Sequence, residues 1–214
     1  MKKFSESRFL DTPVIGILRG YSKDQVLKIA QTYVEAGYSN LEITMNTPNS
    51  LEIIKSVAAE FEGKLNIGAG TVLSKKQVDQ VLDSEGQFIV SPIVDMNVIT
   101  YCVRKEVPIF PGAYSPTEIY RAAEAGARMV KVFPATNLGP DYIKDVLAPL
   151  NHLELMPTGG VNLENLEVFV KAGAKAFGMG GNLFRNELIQ KEDWDGLKNH
   201  LLKFKATLMK SFKG

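Results

Sequence analysis

The sequence predicts a single α/β domain, a (β/α)8 TIM barrel that spans residues 1–214. Two observations carry this prediction. Eight short, mostly apolar segments recur along the chain, and amphipathic segments of helical periodicity separate them. The repeat length of roughly 20 to 25 residues suits a small barrel of this class. No linker or low-complexity stretch interrupts the alternation, so the chain is not expected to divide.

The eight predicted strands are apolar along most of their length, as expected for strands that are covered on both faces. In chain order they are residues 14–18, 40–44, 65–70, 87–91, 107–112, 128–133, 153–160 and 175–181. Because a helical segment follows each of them, we expect the strands to pair in parallel.

The first long helix shows how the intervening helices are recognised. Ser22 is a typical N-cap residue and Gly37 is a typical C-terminal stop. Between them, apolar residues recur at helical spacing: Val26, Ile29, Ala30, Tyr33 and Val34. Gly86, Gly126 and Gly173 predict similar helix ends, each followed by a strand within a few residues.

An open, doubly wound sheet is the structural alternative to a closed barrel. Its commonest form carries a glycine-rich, dinucleotide-binding turn after the first strand. The residues that follow the first predicted strand, RGYSKD, lack that fingerprint, and the sequence therefore favours the barrel.

Composition excludes several classes of function. Apolar residues make up 45% of the chain, charged residues make up 23%, and the net charge is +1, which predicts neither nucleic acid nor an acidic membrane as a partner. No apolar run is long enough to span a bilayer, and the N-terminus is too polar for a secretory signal, so we expect a cytoplasmic protein. The single cysteine, Cys102, excludes an intramolecular disulfide and a thiolate metal cluster. His152 and His200 fall outside the predicted catalytic face, so neither a metal site nor a Ser-His-Asp triad is expected.

In a barrel of this class, active groups gather at the C-terminal ends of the strands and in the loops that follow. The candidate positions at those ends are Arg19, Glu42, Thr44, Asn46, Thr71, Ser91, Pro92, Pro111, Gly112, Lys131, Phe133, Thr158, Gly159, Gly160, Gly180, Gly181 and Asn182.

Glu42 and Lys131 are the most informative of these candidates, because ionisable groups on buried strands are costly unless they are partnered. One interpretation is a buried ion pair without chemistry, and another is a side chain that points outward under a helix. The functional interpretation is a nucleophilic amine beside a proton-transfer carboxylate, with apolar surroundings that lower the pKa of the lysine. Strand alternation places Met129, Lys131 and Phe133 on one face, which we expect to be the barrel interior.

Two glycine-rich segments, TGGVNLENL and GMGGNLF, follow the seventh and eighth predicted strands. Loops at these places often bind phosphate through backbone N–H groups, and glycine allows an oxyanion to approach the main chain closely. One Gly-Gly pair is commonly just a turn, but two pairs after these particular strands indicate a phosphate site.

Seven motifs together resemble the class I aldolases that cleave 2-keto-3-deoxy-6-phosphogluconate, with relatives that act on the galactonate epimer and on 4-hydroxy-2-oxoglutarate. In chain order the motifs are GILRG, LEITMNTPNS, GAGTVL, FPGAYSPTE, VKVFPAT, PTGGV and GMGGNLF. The resemblance implies a homotrimeric barrel that splits the phosphorylated keto-deoxy sugar acid into pyruvate and glyceraldehyde 3-phosphate, without a metal or another cofactor.

The resemblance also implies roles for individual residues. Lys131 matches the Schiff-base lysine, Glu42 the proton-shuttling glutamate, and Thr71 the threonine that holds the pyruvate carboxylate. Phe133 and Pro92 match walls of the pocket. The implied substrate loop is Thr158, Gly159 and Gly160, and the implied phosphate loop is Gly180, Gly181 and Asn182.

Two positions depart from the phosphogluconate pattern. Asn46 stands where those enzymes usually have an arginine, and Asn182 replaces a serine, although its amide can still donate to phosphate. The galactonate enzymes are similar to this chain in an asparagine near the first position and in the arginine of ILRG, so Arg19 is a candidate for the missing cation. We predict cleavage of the gluconate epimer; the alternatives are the galactonate epimer, 4-hydroxy-2-oxoglutarate, a phosphosugar isomerase or epimerase, and a non-catalytic phosphosugar-binding barrel.

Overall fold

A computed structural model describes residues 3–213, so the predicted domain of residues 1–214 extends beyond the described range at positions 1, 2 and 214. The eight strands are β1 (Val14–Leu18), β2 (Asn40–Thr44), β3 (Asn66–Gly70), β4 (Phe88–Ser91), β5 (Ile109–Ala113), β6 (Val130–Val132), β7 (Leu155–Pro157) and β8 (Phe177–Met179). The helices are α1 (Glu6–Asp11), α2 (Lys23–Glu35), α3 (Ser50–Glu60), α4 (Lys75–Asp83), α5 (Met96–Arg104), α6 (Pro116–Glu124), α7 (Gly139–Leu147), α8 (Leu166–Lys171), α9 (Asn186–Gln190) and α10 (Trp194–Lys213).

The strands form one parallel sheet that curls into a barrel. The order along the sheet is β7-β6-β5-β4-β3-β2-β1-β8. A bridge between Thr158 and Gly178, just beyond β7 and within β8, brings the two ends of the sheet together. The predicted (β/α)8 TIM barrel is confirmed, and the open doubly wound sheet is not found.

Side chains alternate between the barrel interior and the helical layer, as strand geometry requires. One buried cluster fills the N-terminal part of the barrel interior. It consists of Phe9, Ile15, Phe88, Val90, Phe110, Met129, Met156 and Ala176. Val130 and Val132 belong instead to the larger core between strands and helices. The predicted alternation on β6 is therefore confirmed, and Lys131 takes the inward position after Met129.

Helix α1 closes the N-terminal end of the barrel, a feature that the sequence did not predict. Phe9 is fully buried against Phe110, with ring centroids 5.5 Å apart. Arg128 forms ion pairs with Glu6 on α1 and with Glu154, and its guanidinium lies 5.6 Å from the centroid of the Phe9 ring. These contacts fix α1 across the end of the barrel that is opposite the predicted site.

Most predicted helix boundaries agree with the structure. Ser22 and Gln25 form a capping box at the start of α2, and Gly37 follows α2 with a φ of 80°. At the end of α4, however, the left-handed residue is Glu85 rather than the expected Gly86. Gly86 is needed for a different reason, because a Cβ there would lie 2.4 Å from Val81 Cγ1. Among the described helices, none combines the length and apolar character needed to cross a membrane.

Candidate active site

Glu42 and Lys131 lie inside the barrel at the inward positions of β2 and β6. Their side chains belong to residues that are only 2% and 6% exposed, respectively. Burial raises the pKa of the Glu42 carboxyl to about 7, although the positive charges of Lys131 and Arg19 act to lower it. Burial lowers the pKa of the Lys131 ammonium, and the nearby charge of Arg19 adds to this effect while Glu42 opposes it. Burial therefore acts against the charged form of both groups, which raises the pKa of the carboxyl and lowers the pKa of the amine.

The carboxylate of Glu42 is held in a space created by a glycine on the neighbouring strand. A Cβ at Gly70 would lie 2.2 Å from Glu42 Oε1, so any larger residue would displace the carboxylate. Within residues 3–213, Glu42 Oε2 has no hydrogen-bond partner. An orphaned buried oxygen typically costs about 1–3 kcal/mol. A purely structural ion pair would leave no such atom unsatisfied, and so this geometry favours a functional role.

The side chains of Lys131 and Phe133 lie next to each other, as the alternation along β6 predicts. Lys131 Nζ lies 4.5 Å from the centroid of the Phe133 ring. An aromatic face attracts an ammonium ion and also displaces water from around the amine. Phe133 also lines a cavity at the C-terminal ends of the strands, whereas Lys131 is not part of the wall of that cavity.

A cavity of about 420 Å³ opens at the C-terminal ends of β1, β6, β7 and β8. It brings together eight of the predicted site residues: Arg19, Phe133, Thr158, Gly159, Gly160, Gly180, Gly181 and Asn182. The remainder of its wall is formed by Ile17, Tyr21, Val161, Gly178, Met179 and Phe184, which the sequence did not single out. Tyr21 is the polar member of this second group, and no motif or spacing in the sequence pointed to it.

Thr71 follows β3 with a φ of 61°, in the left-handed region that β-branched residues rarely occupy. Such a conformation typically costs about 1–3 kcal/mol and persists where the surroundings over-determine it. The next residue, Val72, is fixed by a hydrogen bond from its N–H to the carbonyl of Val90, at 3.2 Å. The strain at Thr71 is consistent with the binding role that the resemblance implies.

Three further predicted residues are Arg19, Asn46 and Pro92, and of these only Arg19 lines the cavity. Arg19 is exposed on the cavity wall and close enough to act electrostatically on both Glu42 and Lys131. Asn46 lies in an exposed turn after β2 and is not part of that wall. Pro92 follows β4, and its carbonyl packs so closely on Gly112 that a Cβ there would lie 2.6 Å from the oxygen.

The two glycine-rich loops are linked by Asn182. Its Nδ2 donates to the carbonyl of Val161 at 2.8 Å, so one of its two amide hydrogens joins the loop after β8 to the loop after β7. Gly159 and Gly160 have φ angles of 96° and 75°, which side chains rarely adopt. A Cβ at Gly160 would also lie 2.9 Å from the Cα of Thr136. Both Gly159 and Gly160 therefore need to be glycine, because each has a positive φ angle.

The two histidines have different surroundings. His152 lies with Arg128 and Glu154 at the N-terminal end of the barrel, on the rim where the sequence placed it. His200 is on α10, as expected, but its Nε2 is 2.9 Å from the carbonyl oxygen of Asn182. The sequence did not predict this contact with a loop of the site. Among the described residues, no group of three or more His, Cys, Asp or Glu side chains could hold a metal ion.

Comparison with known protein sequences identifies a family and relatives of this chain. The family model described as "Aldolase: KDPG and KHG aldolase" matches residues 5–200. The 2-dehydro-3-deoxy-6-phosphogalactonate aldolase of Escherichia coli K12 is 37% identical over 174 residues, which cover 81% of this chain and 85% of that protein. The 2-dehydro-3-deoxy-phosphogluconate aldolase of Treponema pallidum is 36% identical and covers 74% of this chain and 75% of its own.

Solved structures agree in fold and size. One described as "Native KDPGal structure" superposes with a TM-score of 0.89 at 31% identity and covers 100% of both chains. A KDPG aldolase from Legionella pneumophila, with pyruvate captured as a covalent carbinolamine, superposes with a TM-score of 0.84 at 25% identity and covers 92% of this chain and 95% of its own. The barrel, the buried lysine and glutamate, and these matches lead to one conclusion: the chain is an aldolase, a carbon–carbon lyase, and belongs to the KDPG and KHG aldolase family.

Proposed function

We propose that the protein is a class I aldolase that cleaves a 2-keto-3-deoxy-6-phosphosugar acid into pyruvate and glyceraldehyde 3-phosphate. The observation that carries the proposal is the buried pair inside the barrel. Lys131 has a lowered pKa and Glu42 a raised one, and Lys131 contacts Phe133, which lines a cavity bounded by the glycine-rich loops. An amine that is easily deprotonated and a carboxyl that titrates near neutrality are the two groups that Schiff-base cleavage requires.

Lys131 is the nucleophile in this mechanism. Its neutral amine attacks the C2 ketone to give a carbinolamine, and loss of water leaves an iminium ion. The iminium accepts the electron pair of the C3–C4 bond as that bond breaks, which produces an enamine and releases the aldehyde. Desolvation of Lys131 supports this role because it keeps a larger share of the amine unprotonated at neutral pH.

Glu42 transfers the proton that this step requires. Its carboxylate removes the proton of the C4 hydroxyl during bond cleavage, and the carboxyl then returns a proton to C3 of the enamine. Hydrolysis of the resulting iminium releases pyruvate and restores the free lysine. With a pKa of about 7, Glu42 can be both base and acid in one cycle, and assistance of this kind typically contributes about 10²- to 10⁴-fold. The unpartnered Oε2 is available for the substrate hydroxyl.

Backbone N–H groups are proposed to bind the phosphate. Within residues 3–213, the N–H groups of Val161, Gly181 and Asn182 have no hydrogen-bond partner, and all three residues line the cavity. Gly180 accepts hydrogen bonds from Leu183 and Phe184 at 2.9 Å, which shapes the loop after β8 into a tight turn. Free amides on such a turn favour an oxyanion. Thr71 is proposed to hold the carboxylate of the substrate, with Pro92 and Phe133 as pocket walls.

The sequence predicts the gluconate epimer as substrate, and one structural observation favours the galactonate epimer as a second candidate. Arg19 lines the cavity, whereas Asn46 does not, so Arg19 is the cation available to the sugar acid. Identities of 37% to a phosphogalactonate aldolase and 36% to a phosphogluconate aldolase are too similar to separate the two epimers, so Arg19 alone carries this candidate. Activity on 4-hydroxy-2-oxoglutarate is a further candidate, because the family includes enzymes for both classes of substrate.

The proposal includes a homotrimer and a cytoplasmic location. Large apolar side chains that are more than two-fifths exposed follow the neighbouring strands β3, β4 and β5, namely Leu73, Ile93, Met96, Tyr114 and Tyr120. Exposed methionine and aromatic side chains are typical of subunit interfaces. Sedimentation equilibrium at three times the mass of the chain supports the trimer, and a monomer at all concentrations contradicts it. Cell fractionation tests the location.

Pyruvate release from both phosphorylated epimers and from 4-hydroxy-2-oxoglutarate, measured side by side, tests the proposed function. We expect cleavage of at least one phosphorylated epimer, and no cleavage by Lys131→Met. Interconversion of sugar phosphates without pyruvate release would indicate the isomerase or epimerase alternative. Binding without any reaction would indicate the non-catalytic barrel.

A further inference from the structure

Helix α10 contacts a loop of the active-site cavity through one polar side chain. His200 Nε2 lies 2.9 Å from the carbonyl oxygen of Asn182. A carbonyl can only accept, so this nitrogen carries the hydrogen and donates. The edge-on packing of the His200 ring against Phe204, with centroids 5.1 Å apart, fixes the orientation of the imidazole.

The helix that carries His200 is itself firmly placed. Its buried face consists of Leu197, Leu201, Phe204 and Leu208, and it packs on α2 and α8. A hydrogen bond from a well-packed helix holds a loop more accurately than a bond from another loop does. His200 therefore anchors the loop after β8 to a helix that lies outside the cavity.

The same contact extends to the second glycine-rich loop. Asn182, whose carbonyl is held by His200, donates through Nδ2 to the carbonyl of Val161 at 2.8 Å. Asn165 Nδ2 donates to the carbonyl of Gly160 at 2.9 Å, also from outside the cavity. In a trans peptide the carbonyl and the following N–H point in opposite directions, so the bond at Gly160 directs the N–H of Val161 away from Asn165. These side chains hold carbonyl oxygens that would otherwise be free to turn toward an anion.

We infer that His200 is a positioning residue for the phosphate end of the site: through Asn182 it holds the two glycine-rich loops in the arrangement that presents their N–H groups to the substrate phosphate. The inference rests on the proposed function, since it concerns the same cavity. His200 touches neither the substrate nor Lys131, so its effect is confined to the affinity for phosphate and leaves the Schiff-base chemistry intact.

Three variants separate this role from simple packing. His200→Phe keeps an aromatic ring against Phe204 but removes the donor, and His200→Gln places an amide donor near the position of Nε2. Asn199→Ala, at the exposed neighbouring position on α10, is the matched control. Two readouts are compared in the full-length protein: the affinity for inorganic phosphate by ³¹P NMR titration, and the exchange of the C3 protons of pyruvate, which needs the lysine but no phosphate.

In His200→Phe we expect phosphate affinity, and 1/KM for the phosphorylated substrate, to fall by about two- to tenfold, as loss of one hydrogen bond implies. Pyruvate exchange and kcat stay unchanged, and His200→Gln recovers most of the loss. Three results would each overturn the inference. They are an unchanged phosphate affinity in His200→Phe, an equal loss of phosphate binding and pyruvate exchange in that variant, and a wild-type chain that binds no phosphate. If phosphate affinity falls in His200→Phe as expected but the wild-type chain releases no pyruvate, the result contradicts the proposed function alone.

Discussion

Replacing Glu42 with glutamine is expected to stabilise the protein above pH 7 while it removes the proton-transfer group. In the folded state the pKa of Glu42 is about 7, against an ordinary value of 4.5. Between these two pH values the folded protein binds more protons than the unfolded chain, so stability falls as the pH rises through this range. Glutamine does not titrate, and Glu42→Gln escapes this loss.

The magnitude follows from the two pKa values. Each tenfold change in proton affinity corresponds to about 1.4 kcal/mol, which sets an upper limit of about 3 kcal/mol above pH 7. This limit already includes the attraction of Lys131, which acts to lower the pKa of Glu42. Part of the gain is lost because a buried glutamine amide needs hydrogen-bond partners of its own. We expect a net gain of about 1–3 kcal/mol at pH 8, or roughly 3 to 10 °C in Tm for a chain of this length.

Thermal unfolding of the wild type and Glu42→Gln between pH 4.5 and 8 measures this difference. It should be small near pH 4.5 and reach its full size above pH 7. Glu52→Gln is the matched control, because Glu52 forms an exposed ion pair with Lys23 that is worth at most about 1 kcal/mol. A Glu42→Gln variant that is less stable than the wild type at pH 8 would refute the reasoning and indicate a structural ion pair.

Three further predictions follow from the same geometry. Gly70→Ala should lower kcat by about 10²-fold, because the new methyl group would lie 2.2 Å from Glu42 Oε1 and displace the carboxylate. Steady-state pyruvate release measures this loss, and an unchanged kcat would contradict the prediction. Arg128→Ala should lower stability by about 1–2 kcal/mol in denaturant titrations, through lost contacts to α1, and leave kcat unaltered; a loss of activity at unchanged stability would contradict that assignment. The rate of Schiff-base formation should rise with pH through a pKa below the ordinary 10.5 of lysine, and a rate that rises only above that value would contradict the lowered pKa of Lys131.

Local patterns were sufficient to predict the strands and the buried pair. The predicted residues 14–18 and 40–44 coincide with β1 and β2, because each is a short, mostly apolar run that ends at a polar loop. The prediction for β7 was too long, since residues 153–160 include Gly159 and Gly160, whose positive φ angles end the strand pairing. Lys131 and Glu42 were recognisable because charge is unusual on buried strands.

The features that the sequence did not reveal depend on contacts between distant parts of the chain. Helix α1 is short, and its single buried residue, Phe9, gives no periodic pattern. The contact of His200 with Asn182 spans 18 positions and depends on how α10 packs against α2 and α8. Tyr21 lines the cavity because the loop after β1 lies next to β8 and the loop that follows it. None of these contacts has a signature in local composition or spacing.

The most direct test of the central claim is reduction with sodium borohydride in the presence of pyruvate, followed by peptide mapping by mass spectrometry. If Lys131 forms the Schiff base, a single reduced pyruvate adduct should appear on the peptide that contains it, and Lys131→Met should give none. An adduct on another lysine, or one that persists in Lys131→Met, would contradict the assignment of Lys131 as the nucleophile.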